Sequence, residues 1–287
     1  MGRLRSIRNF GHEIYRTYVV DQPNHFAASL SYYSLFSLIP TIYIAFEFSG
    51  LFIDNELVTQ YMFSEIEKLL GVDVMELLMV MLEEISQRPS GSTILGRFVS
   101  SIAMLFGASL LFFKLQYALN TIWKIPPSTV NHTRTFLLNR LFAFITVYCV
   151  GILVLFTSFA YVLLGFLDSA TKIQLTSPFL NFGVNLAISV VAITLIFKLL
   201  PNARIGWKDA VIGAGVTAFL LSAGTKGLGW YLSNSKVGSF FEAAGAVILL
   251  LIAIYFLAQI FILGAVFTRV FADIYGGGIH PRRGVES

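Results

Sequence analysis

Seven polar side chains stand inside apolar stretches of this chain and are of the types that bind solutes or carry protons: Glu47, Lys114, Gln116, Asn120, Lys226, Glu242 and Gln259. A charge placed at the centre of a bilayer costs about 2.5 to 3.5 kcal/mol on insertion scales, so such residues pair, face water or mark a pathway. Depth along the spans sorts them. Glu47, Lys226 and Glu242 are expected near one outer level and form a predicted outer polar cluster. Lys114 and Gln259 are expected deeper, near a shared inner polar pocket. Gln116, Asn120 and Trp123 follow an i, i+4, i+7 spacing, which gives one helix a polar stripe with an aromatic base. These groups line a solute path, or they hydrogen-bond between helices as packing glue. For Lys114 and Lys226 there is also the ordinary alternative of snorkelling along a four-carbon stem.

Enzyme chemistry has little to build on. His12, His25, His132 and His280 do not form a metal-ligand pair at helical spacing, and no zinc-protease, nucleophile-elbow or paired-aspartate motif occurs. Gly224, Gly227 and Gly229 surround Lys226 but lack a preceding strand and a Gly-Lys-Ser/Thr ending, so they do not make a phosphate loop. No enzyme activity, cofactor or metal is therefore expected. The single cysteine, Cys149, allows no intrachain disulfide.

The elements that would position these residues follow from composition. The 287 residues are 56% hydrophobic and 13% charged, and the mean hydropathy is +0.76. That leaves too few polar side chains to cover a water-soluble globule. The apolar residues gather into runs of roughly 20 or more, the length that crosses about 30 Å of hydrocarbon. The predicted fold is an all-α polytopic membrane domain covering residues 1–287, with six spans: Phe26 to Phe52, Ile94 to Trp123, Leu137 to Leu167, Pro178 to Leu200, Lys208 to Leu232 and Phe240 to Ala272. Pro40 predicts a kink in the first span. Spans two, three and six exceed the hydrocarbon thickness, which predicts tilt or protrusion.

Two flanking regions differ in kind. In residues 1–22, Leu4, Ile7, Phe10, Ile14 and Tyr18 form a stripe among Arg3, Arg5, Arg8 and Arg16, as in a helix lying on the cytoplasmic face of a membrane. Residues 54–93 are acidic and predict an extracytoplasmic excursion of two short amphipathic helices. Counting Lys and Arg on alternate sides puts Arg3, Arg5, Arg8, Arg16, Lys124, Arg134, Arg140, Lys198, Arg204, Lys208, Arg269, Arg282 and Arg283 together. The opposite side receives only Lys68, Arg88, Arg97, Lys172 and Lys236. By the positive-inside bias, both ends and the 273–287 tail are cytoplasmic. The pI near 9.1 then reflects topology rather than a nucleic-acid partner.

Four ordered motifs run through this framework: Tyr32-Tyr33-Ser34-Leu35-Phe36-Ser37-Leu38-Ile39-Pro40; Ala118-Leu119-Asn120-Thr121-Ile122-Trp123; Leu200-Pro201-Asn202; and Leu263-Gly264-Ala265 before Phe267-Thr268-Arg269-Val270. Together they resemble the YihY/BrkB family of bacterial inner-membrane proteins, once labelled ribonuclease BN-like. The resemblance implies a six-span inner-membrane protein for which transport has been proposed and the nuclease label is regarded as misassigned. It marks Pro40, Asn120, Trp123, Pro201 and Gly264 as structural motif positions. Val266 stands where the family usually has glutamate, and Glu242 where it usually has glycine. The reading that follows is a transporter or exporter of a small solute or lipid-like molecule; the alternative is a membrane scaffold whose acidic outer helices meet envelope partners. Membrane lipids are its expected surroundings.

Overall fold

A computed structural model describes residues 2–20, 24–49, 75–76, 79–80, 94–126, 178–234 and 242–281. The third predicted span and most of the acidic 54–93 excursion lie outside the described residues. Among the described residues there are six helices and one pair of very short strands. Helix α1 is Gly2–Val20, α2 Asn24–Ser49, α3 Ile94–Ile122 and α4 Pro178–Leu199. Strand β1, Ala203–Arg204, precedes α5, Trp207–Asn234. Helix α6, Glu242–Tyr275, precedes strand β2, His280–Pro281. The backbone of α2 is helical across Pro40.

Within the described residues, Phe182–Leu199, Trp207–Tyr231 and Val247–Tyr275 are long and apolar enough to cross a membrane. Helix α6, at 34 residues, is about 51 Å long at 1.5 Å per residue. Even a tilt of about 40° leaves its projected length near 39 Å, beyond the roughly 30 Å hydrocarbon layer. Part of α6 therefore stands among headgroups or water.

The chain divides into two compact units. The first comprises Met1–Phe26, Leu115–Ser222 and Ile260–Ser287; the second comprises Ala27–Lys114 and Ala223–Gln259. The core of the first unit is built from Leu119, Phe197, Leu200, Ile205, Ile262 and Val266, each almost fully buried. Trp123 meets Phe197 edge-on at 5.6 Å, and Phe197 meets Phe261 at 5.5 Å.

Small residues bring α5 and α6 together. Ala210, Ala214 and Ala218 recur every four residues on α5 and are completely buried, as are Ala265 and Ala272 on α6. Two Gly-x-x-x-Thr pairs interlock reciprocally: a Cβ on Gly213 would collide with the side chain of Thr268, and one on Gly264 would collide with that of Thr217. The reciprocal match requires the two segments to run antiparallel. Each threonine keeps its hydroxyl satisfied within its own helix, Thr217 Oγ1 donating to Gly213 O and Thr268 Oγ1 to Gly264 O, both at 2.7 Å. The hydroxyls thus enter an apolar contact without an unpaired donor.

Helix ends are closed by identifiable devices. At the end of α3, Ile125 N donates to Asn120 O at 2.9 Å and Lys124 N to Thr121 O at 3.0 Å, the bond pair of a Schellman motif. Lys124 occupies the left-handed position, φ 54°, usually taken by glycine. At the end of α6, Gly278 has φ 74°, and its N–H donates to Ala272 O at 2.9 Å. Asp209, buried in the first turn of α5, accepts from Gly277 N at 3.3 Å. A Cβ on Gly276 would fill the space its carboxylate uses. Beyond this turn, β2 pairs antiparallel with β1, Ala203 opposite Pro281 and Arg204 opposite His280. The predicted tail from residue 273 is therefore partly helix and partly strand.

Candidate functional site

The polar stripe of α3 and the end of α4 form one hydrogen-bonded clasp in the first unit. Pro201 has no N–H and stops α4, which leaves carbonyls at the helix end without intrahelical donors. Gln116, 2% exposed, fills one of these vacancies: its Nε2 donates to Leu200 O at 2.5 Å. One turn further along α3, Asn120 Oδ1 accepts from Asn202 N at 2.8 Å. The two side chains thus bracket Pro201, reading backbone groups on either side of it.

Helix α6 joins the same end of α3. Trp123 Nε1 donates to Ala265 O at 3.1 Å. Arg269 donates to Ile122 O at 2.8 Å, placing a cation on the C-terminal end of α3 where the helix dipole favours it. Arg269 also lies 3.7 Å from Asp273 on its own helix. Three of the four motifs noted in the sequence therefore meet here: Asn120 with Asn202, Trp123 with Ala265, and Arg269 with Ile122. Gly264 belongs to the neighbouring interlock with Thr217.

The remaining motif lies in the second unit. Lys114 Nζ sits over the ring of Tyr33, 4.6 Å from its centroid, and Tyr33 belongs to the Tyr32-to-Pro40 motif. Gln259 Nε2 donates to Tyr255 OH at 2.7 Å, one turn back on α6. The two members of the expected inner pocket thus each have an aromatic partner, Tyr33 for Lys114 and Tyr255 for Gln259. Lys226 is exposed on α5. The side chains of Glu47, Glu242 and Pro40 lie outside the described residues, and with them the predicted outer cluster. Among the described residues, no three His, Cys, Asp or Glu side chains come together in a way that would hold a metal.

Several contributors escaped the sequence reading. Arg269 stands in the fourth motif and among the topology charges, but its bond to Ile122 O has no signal in the sequence, and neither has the capping contact of Asp209. Tyr255 was within reach, since it stands four residues before Gln259. Tyr33 has no such local signal, because its partner Lys114 is on another helix. Val266, the position where the resemblance leads one to expect an acid, is 1% exposed, and an apolar side chain suits that surrounding.

The chain is similar to known proteins along most of its length. The profile of the family described as Virulence factor BrkB matches residues 14–283. A UPF0761 membrane protein of Alkalilimnicola ehrlichii is 25% identical over 255 residues, covering 86% of this chain and 54% of that protein. One from Saccharophagus degradans is 26% identical over 270 residues, covering 93% and 60% respectively. The chain thus spans a little over half the length of these curated relatives. No solved structure matches it. With apolar helices of membrane-crossing length and a family match that runs nearly end to end, the chain is an integral membrane protein that belongs to the BrkB family.

Proposed function

We propose that this protein is a transporter of the bacterial cytoplasmic membrane that moves a small solute or a lipid-like molecule along a polar path between its helices. The observation that carries this reading is Lys114 on the apolar helix α3, with its ammonium over Tyr33. A ring face supplies about 2 kcal/mol or more in a desolvated site, close to the roughly 2.5 to 3.5 kcal/mol that a mid-bilayer cation costs on insertion scales. An ammonium held in this way within an apolar helix is suited to meet an anionic part of a solute. Glu47, Lys226, Glu242 and Gln259 are the other groups assigned to the path. Gln116 and Asn120, committed to the turn around Pro201, support it structurally.

In this reading the chain has six spans with both ends cytoplasmic. The α1 helix lies on the inner surface, and residues 54–93 lie outside. In the same reading, movement is passive, ion-coupled or driven by a separate motor. No catalytic step is assigned.

Reconstitution tests the proposal. Proteoliposomes are assayed for osmotic swelling with small solutes and for dithionite-accessible flip of a fluorescent phospholipid. Lys114→Met is expected to reduce whichever flux the wild type supports by tenfold or more, on the order of the cation's 1.4 kcal/mol or greater contribution. Flux unchanged by this variant, or absent from wild-type vesicles in both assays, overturns the reading. Orientation is checked in a Cys149→Ser background: a single cysteine replacing Glu76 should react with an impermeant maleimide from outside intact cells, and one replacing Ser287 only after lysis.

A second reading, a scaffold for envelope partners, draws on the clasp itself, because Gln116 and Asn120 hold backbone rather than facing a solute. It predicts a different mutational pattern, read as complementation in cells. Replacing Glu76, Glu83 and Glu84 by Gln would abolish function in cells, and Lys114→Met would leave it intact.

A further inference from the structure

The turn between α4 and α5 carries a feature that neither transport nor the clasp uses. Between Lys198 and Lys208 the chain has three cations, Lys198, Arg204 and Lys208, and no acid. Asp209, the next residue, is buried and turned toward Gly276 and Gly277, so its carboxylate is engaged in that turn and not in an ion pair with Arg204 or Lys208. Lys198 donates to Ile205 O, and its ammonium lies 5.0 Å from the centre of the Trp207 ring. The indole is thereby held at the start of α5 while remaining 60% exposed.

Strand pairing adds to the same surface. Because β2 lies against β1, His280 stands opposite Arg204, and both side chains are exposed, as is Lys208. The His280 ring meets Gly277 O at 3.1 Å, which ties it to the turn after α6. Helix α4 ends and α5 begins here, and both are of membrane-crossing length and composition. The cluster therefore stands where two spans leave the hydrocarbon, at the level of lipid headgroups. Indole rings concentrate at that level, and cationic side chains there are drawn to anionic lipid.

We propose that Arg204, Trp207, Lys208 and His280, with Lys198 supporting the indole, form a seat for the headgroup of an anionic phospholipid. The phosphate lies against Arg204 and Lys208, and Trp207 rests at the boundary between headgroup and acyl chains. Charge complementarity and the location at the ends of two spans select this occupant over an acidic protein segment. The seat is independent of whether the protein transports anything.

The test uses the full chain, purified in detergent and offered equal amounts of phosphatidylglycerol and phosphatidylcholine, with retained lipids identified by native mass spectrometry. Wild type should retain phosphatidylglycerol preferentially. The R204Q/K208Q double variant should lose that preference by about fivefold for each charge removed, and R204K/K208R should keep it. Trp207→Ala, with the cations intact, provides a second variant and should weaken retention of both lipids. Glycerol 3-phosphate should fail to displace the bound lipid. Four results would overturn the proposal: no preference in wild type, a preference unchanged in R204Q/K208Q, a preference lost only when Arg3, Arg5, Arg8 and Arg16 are replaced, or full displacement by glycerol 3-phosphate.

Discussion

Single side chains at the end of α3 differ in what they protect. Asn120 is the acceptor for Asn202 N, so Asn120→Ala strands a backbone donor in a partly buried turn, at a cost of about 1 to 3 kcal/mol. Trp123→Phe retains most of the ring packing and removes one donor from Ala265 O, a carbonyl within α6 that keeps its intrahelical donor, so the loss should be only about 0.5 to 1.5 kcal/mol. Thermal unfolding in detergent should therefore rank Asn120→Ala as the more damaging, and the reverse order would mean that the clasp around Pro201 is not a stability element. Lys124 predicts the opposite sign. It holds a left-handed backbone at φ 54°, which costs a non-glycine residue roughly 1 kcal/mol or more. Lys124→Gly should raise the unfolding temperature, with a drop indicating that the lysine side chain contributes more than its backbone costs. The i, i+4 placement of Gln116 and Asn120 was visible in the sequence. Their partners were not, because Leu200 and Asn202 lie 84 and 82 residues away, and helical periodicity carries no information on such pairings.

Helices were more legible than contacts. The fourth span, expected over Pro178 to Leu200, is helix Pro178–Leu199, since apolar composition and Pro201 both mark its end. Helix α6 was expected to stop at Ala272 but continues to Tyr275. Asp273 looked like the start of a polar tail, whereas it pairs with Arg269 along the helix, and the three glycines that follow supply the actual break. The two-residue strands β1 and β2 are too short to show any alternation. The small residues of α5 foretold close packing, but not which helix would fill the space. The interlock with α6 makes a sharp prediction: Gly264→Val should destabilise by about 1 to 3 kcal/mol or more through overpacking, and Thr217→Ala should partly relieve it. A double-mutant cycle read by thermal unfolding measures the coupling, and additive effects would exclude the contact.

At the scale of the molecule, α1 is attached through aromatic contacts in the first unit. Phe10 meets Phe267 edge-on at 5.4 Å and Tyr275 at 5.6 Å, and Phe267, Phe271 and Tyr275 form a continuous row along α6. Beyond that anchor, Tyr15 and Val20 are about two-thirds exposed or more, so the aromatic contacts of Phe10 do not extend over the end of the helix. Phe10→Ala should free α1 without unfolding the rest, seen as faster tryptic cleavage after Arg16 with an unchanged unfolding temperature. Equal cleavage rates would show that the aromatic row does not hold the helix.

The reciprocal Gly213–Thr268 and Thr217–Gly264 seats also restrict how this region can move. Sliding one helix past the other by a single turn would pull both threonines out of their notches at once, with no intermediate register that keeps either. These two segments consequently behave as one strut, and any opening or closing of the protein has to bend or pivot at other joints.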